Sequence, residues 1–218
     1  MAILGVLSVC AQEVKPKEAL QGEVSPSVSA LRLATDLVKY GYAQQSALPL
    51  IDAMQIISEN PTQPLDAGKA SETVEGSQEG KKGMVTLDFN TIAADAKKFA
   101  DGDENILKLI AQVEADAQGA HRGAVNGPRE GYYAVNGNGV DTFEISFVKG
   151  YLAEIGVAGD GDTDLDLYVF DSNGNPIASD ESYSGDCYVN WVPAWTGRYI
   201  VKVVNRGPVY NRYVIVTN

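Results

Sequence analysis

Four aspartates, Asp160, Asp162, Asp164 and Asp166, alternate with Gly161, Thr163 and Leu165. On one extended strand all four side chains would project to the same side, about 7 Å apart. Like charges in such a row repel one another and call for solvent or a cation. Calcium takes several carboxylate and carbonyl oxygens at once. One expectation is therefore a loop-end calcium site using Asp160, Asp162 and Asp164, with Asp166 next in the row. The run 160–171 partly mimics an EF-hand loop, with Asp at positions 1, 3, 5 and 12. It is not one, because the sixth position is Leu165 rather than glycine, and Leu165 to Phe170 reads as strand. The competing expectation is a solvated acidic edge that resists aggregation.

Aromatic residues are dense in the same region. Tyr168, on the face of Asp164 and Asp166, is a candidate ligand contact, as are Tyr183 and Trp195. Exposed Tyr and Trp on a sheet suit the binding of polysaccharide or protein strands. Core filling is the competing use of such rings; Trp191, which shares a face with Val189, reads as core.

The catalytic inventory is short. His121 is the only histidine, which excludes an H-E-x-x-H zinc site. A Ser-His-Asp triad would have to use His121, and no G-x-S-x-G elbow occurs. Phosphate-loop and dinucleotide glycine patterns are missing too. No catalytic residue is assigned. A hydrolase built on Asp and Glu alone is the alternative, and it needs two carboxylates facing each other across a cleft.

These residues sit in a chain of 218 with 44% hydrophobic content and a net charge of −12, long enough for one large domain or two small ones. The acidic balance repels phosphate backbones and speaks against nucleic acid. Met1 to Ala11 carries no charge and reads as the apolar core of a signal peptide, with cleavage near Val9-Cys10-Ala11, although a basic leading segment is missing. Lipidation of Cys10 is the weaker alternative, because Val9 is bulky where a small residue is usual. No other segment reaches membrane-spanning length. The mature chain is expected to be secreted or periplasmic. Cys187 then remains alone, so stability comes from the core and not from a disulfide.

Helical periodicity fills residues 25–118. Ser25-Pro26 opens a helix with Val28, Leu31, Ala34, Leu37 and Val38 on one face, ended by Gly41. Ser46 opens a second with Leu50, Ile51, Met54 and Ile57, and Asn60-Pro61 stops it. Residues 61–85, rich in Gly, Ser, Glu and Lys, read as a mobile loop. A third helix uses Phe89, Ile92, Ala93, Ala96 and Phe99; a fourth, capped by Asp103, uses Ile106, Leu109, Ile110 and Val113. Their apolar stripes read as core. Residues 119–130 form a glycine-rich linker. From 131 to 218 the period becomes two: Phe143, Ile145 and Phe147; Leu165, Leu167 and Val169; Cys187, Val189 and Trp191; Tyr199, Val201 and Val203. The expected fold is α+β and multi-domain: a small helical bundle followed by an antiparallel β-sandwich.

Three separated motifs in this half carry a resemblance. They are Asp164-Leu-Asp-Leu-Tyr-Val169, the turn Asp171-Ser-Asn-Gly-Asn175, and Gly197-Arg-Tyr-Ile-Val-Lys-Val203. In this order they resemble the bacterial pre-peptidase C-terminal domain. The resemblance implies a jelly-roll-like sandwich, appended to exported proteins, with some relatives binding calcium and some binding polymers. The function expected is a secreted, non-catalytic accessory or binding module contacting an extracellular or periplasmic protein or polysaccharide, with the resemblance implying stabilisation by calcium. The alternatives are the carboxylate hydrolase and an accessory or inhibitor of a separate secreted protease.

Overall fold

A computed structural model describes residues 26–72, 77–119 and 127–218. The expected signal peptide, Cys10, Ser25, His121 and most of the expected linker lie outside the described residues.

Among the described residues, ten strands build two five-stranded sheets, ordered β1-β3-β10-β5-β8 and β2-β4-β9-β6-β7. The strands are β1 Gln63–Pro64, β2 Gly68–Ser71, β3 Arg129–Val135, β4 Val140–Phe147, β5 Ala153–Gly159, β6 Leu165–Phe170, β7 Pro176–Asp180, β8 Asp186–Trp191, β9 Gly197–Asn205 and β10 Asn211–Thr217. The second sheet is antiparallel throughout, while β1 joins β3 in parallel. Alternation places Phe143, Ile145, Phe147, Leu167, Val201 and Val203 inward from the second sheet. They meet Ile155, Val157, Val189, Trp191, Tyr213 and Ile215 of the first in one shared core.

Helices α1 Pro26–Gln44, α2 Ala47–Glu59, α3 Phe89–Phe99 and α4 Glu104–Gly119 form a third layer. They share a second core with the outer face of the first sheet. There Leu31, Ala34 and Val38 of α1 join a cluster with Ala158, Val214 and Val216. The central strands β5 and β10 are covered on both faces and are buried along nearly their whole length. Gly41 does not end α1. It lies buried inside the helix, where a Cβ would stand 2.6 Å from Leu50 Cδ2. Asp88 caps α3 through the Thr91 amide, and Asp103 accepts from the Asn105 and Ile106 amides at the start of α4.

Within the expected mobile loop, the described residues 61–72 and 77–85 include paired strands. Gln63–Pro64 extends the first sheet and Gly68–Ser71 the second. The buried carboxylate of Asp141 holds β2 in place, taking a 2.9 Å ion pair from Lys69 and hydrogen bonds from Ser71 (2.7 Å) and Tyr213 (2.7 Å). Leu65 is buried in the sandwich core and Val85 in the core under the helices, and polar bonds to other elements supply the remaining described contacts. Among the described residues, no helix is long and apolar enough to cross a membrane.

Candidate functional site

The loops joining β5 to β6, β7 to β8 and β9 to β10 meet at one end of the sandwich, and the acidic row falls there. It is not a row on one strand. Asp160 follows β5, Asp162 and Asp164 lie in the connection, and Asp166 is inside β6. Gly161, at φ +80°, turns the chain between them.

Each carboxylate has its own partners. Asp160 is buried and accepts from the Asp162 amide (2.9 Å) and the Arg212 amide (2.8 Å). Burial pushes its carboxyl above the ordinary range, against the pull of those two amides. Asp162 accepts from the amides of Lys81 (2.5 Å) and Lys82 (2.8 Å). Asp164 accepts from the Ser184 amide (2.8 Å). Asp166, also buried, takes the Arg206 guanidinium (2.5 Å) and the Tyr168 hydroxyl (3.0 Å). Among the described residues no three Asp, Glu, His or Cys side chains come together as a metal-binding group. The donors to these oxygens are N–H and O–H groups contributed by several different segments of the chain.

Asp162 instead anchors a strap, residues 77–83. Gln78 bridges to Val209, Glu79 pairs with Arg212 at 2.6 Å, and the Lys82 ammonium donates to the Gly161 carbonyl at 2.8 Å. Gly80 makes this approach possible, since a Cβ there would stand 2.5 Å from Asp162 Oδ2 and 2.8 Å from the Tyr210 carbonyl. The amide-to-carboxylate contacts were beyond sequence reading because they join residues 80 positions apart.

Beside the strap is a groove of about 790 Å³ between α1 and the loop end. Val38, Tyr42 and Val85 give it apolar walls; Lys39, Lys82, Asp160 and Asp186 give it charge. Lys39 and Asp186 form an ion pair across it. The Tyr42 hydroxyl donates to Asp95 at 2.9 Å, and burial, with Asp95 second, raises its pKa strongly. Tyr183 adjoins Ser184 of the groove and is 97% exposed.

The other expected contacts lie elsewhere. Tyr168 faces out from the second sheet, stacked on Phe170 with ring centres 6.3 Å apart, and its hydroxyl receives the Arg206 guanidinium at 2.8 Å. Trp195 sits at the opposite end of the sandwich, stacked on Tyr199 at 5.3 Å and 37% exposed. Val148 and Tyr151 are exposed on the adjoining connection, whose Gly150 amide donates to the Pro193 carbonyl. Cys187 is buried, its thiol donating to the Leu165 carbonyl at 3.0 Å. Burial pushes its pKa far up, so it is no nucleophile.

Two solved bacterial structures are similar over part of this chain. One is PliG, a periplasmic inhibitor of g-type lysozyme from Aeromonas hydrophila, at 11% identity, 42% of this chain, 84% of that chain and TM-score 0.34. The other is the Yersinia pseudotuberculosis-derived mitogen, at 13% identity, 42% of this chain, 84% of that chain and TM-score 0.29. Likenesses this distant carry no argument about function. No family model matches the sequence, and no curated protein matches it.

Proposed function

We propose that this protein is an exported, non-catalytic accessory module that binds an extracellular or periplasmic protein through the groove between α1 and the loop end. One observation carries the reading: the groove's acidic loop is already hydrogen-bonded throughout, while an almost fully exposed tyrosine, Tyr183, stands beside it. A carboxylate held by two amides is a poor proton shuttle but a rigid wall for a ligand. Apolar walls with a few placed charges suit a protein segment.

The strand order supports a jelly-roll-like sandwich, with β3-β10-β5-β8 facing β4-β9-β6-β7. The resemblance to the pre-peptidase C-terminal domain gains support from the placement of its motifs: the first lies on β6, the last on β9, and these strands pair directly. Export rests on the apolar run at Met1 to Ala11. An accessory or inhibitor of a separate secreted protease is the alternative form that such binding would take.

The test is site-specific photocrosslinking. A photoreactive residue at position 183 should trap a discrete partner from the native extracytoplasmic fraction, and Lys39→Glu should weaken the product. The same probe at Tyr151, at the far end, should give none. Equal products from both positions, or none from 183, would remove the proposal.

The hydrolase reading keeps one observation in its favour: Asp160, with its raised pKa, and Asp186 line the same groove. Turnover of a glycoside or peptide that Asp186→Asn abolishes would establish it.

A further inference from the structure

We infer that the groove between α2 and α4 receives a basic amphipathic helix of a partner protein. This groove, of about 450 Å³, is on the helical layer and separate from the loop-end site. Leu48 and Ile51 line it from α2, Leu109 and Val113 from α4. Their spacings of three and four residues put each pair on one helical stripe.

Two of these leucines are out of place for a finished core. Leu48 is 53% exposed and Leu109 51% exposed. Sequence periodicity assigns Leu109 to the core stripe of α4, yet Ile110 is the residue fully buried there. Both leucines line the groove with about half of their surface open to solvent.

The rim has one sign of charge. Asp52, Glu59 and Asp116 are the charged residues lining the groove, and all are acidic. The polar donors beside them are already turned inward along their own helices: the Gln112 amide donates to Asp116 at 2.9 Å and the Gln55 amide to Glu59 at 3.3 Å. No Lys or Arg lines it among the described residues. The chain's charge of −12 adds long-range attraction for a cationic partner.

A third helix laid between two others packs its i, i+3, i+4 and i+7 side chains into their groove. From Leu48 to Glu59 the α2 stripe runs roughly 16 Å, about three turns. The matching occupant is a helix of three to four turns, with leucine-like anchors on one face and Lys or Arg flanking them. The anchors would cover Leu48 and Leu109, and the basic flanks would meet Asp52, Asp116 and Glu59.

The probe is a synthetic labelled peptide of about 16 residues, roughly 24 Å when helical, with Leu on one stripe and Lys beside it. Its control replaces every Lys by Glu. Fluorescence anisotropy should show the Lys peptide binding at least about ten-fold tighter than the Glu peptide, with affinity falling as salt rises. Leu109→Glu should weaken it about ten-fold, and Asp116→Lys about three-fold. Both positions are exposed, so both variants should melt with the wild type, and each tests the idea independently of the other. Equal binding of the two peptides, or indifference to both substitutions, would overturn the inference. So would a dimer in sedimentation velocity that Leu109→Glu dissolves, which would give the groove to a second copy. None of these outcomes touches the crosslinking at Tyr183.

Discussion

The Arg32 guanidinium of α1 lies 4.0 Å above the ring of Tyr188 on β8. Beneath it the Tyr188 hydroxyl bonds to buried Glu154 at 2.5 Å, and about two turns further along α1 Lys39 pairs with Asp186. The helical layer is thus fastened to the sheet by a polar ladder as well as by Leu31, Ala34 and Val38, and the groove exists because that fastening fixes α1 against the loop end.

Removing the ladder's first contact should loosen α1 without unfolding the sandwich. Arg32→Ala is expected to cost about 0.5–1 kcal/mol, the range for an exposed cation over an aromatic ring. Denaturant melts give the cost; hydrogen exchange should locate it in α1 and leave β9 protected.

Close approach of α1 to α2 depends on Gly41. A larger residue there must displace the buried Leu50 side chain, so Gly41→Val should destabilise by about 1–3 kcal/mol, the usual cost of overpacking. An unchanged melting temperature would mean the two helices do not sit as described.

Cys187 should be silent to thiol reagents. Burial raises its pKa and its hydrogen goes to the Leu165 carbonyl. In a Cys10→Ala background, labelling with a disulfide reagent at pH 8 should be negligible in the native protein and complete in denaturant. Fast native labelling would contradict the packing of β8.

Part of this was legible in the residues. Alternation through Phe143–Phe147 and Tyr199–Val203 identifies inward-facing strands, because a sheet buried on one face must alternate. The aspartates misled for a physical reason: alternation implies one strand only if the chain stays extended, and the positive φ at Gly161 breaks it between Asp160 and Asp162. Asp141 gave no local signal at all. Its partners Lys69, Ser71 and Tyr213 are far away in sequence, and two of them lie on β2, which these bonds fasten to β4 beside the backbone pairing.

Acid should act through the turn at Asp171. Its carboxylate accepts from the Asn175 side chain and from the amides of Asn173 and Asn175, and the Asn175 side chain is the main cause of its lowered pKa. A lowered folded pKa means stability that is complete above the ordinary carboxylate range and is lost as pH falls through the folded value. Asp171→Asn should therefore be less stable than wild type at pH 7, and the difference should close as the pH drops toward 2. A difference that is constant with pH would rule out this source.

The loop-end carboxylates hold the groove in shape by bonding to amides. The most direct measurement is amide hydrogen exchange at Lys81 and Lys82, which donate to Asp162, with and without calcium. Both amides should be protected in calcium and in chelator alike, and Asp162→Ala should cut that protection about ten-fold or more while the core strands keep theirs. Protection that appears only with calcium, or survives the substitution, would contradict the account.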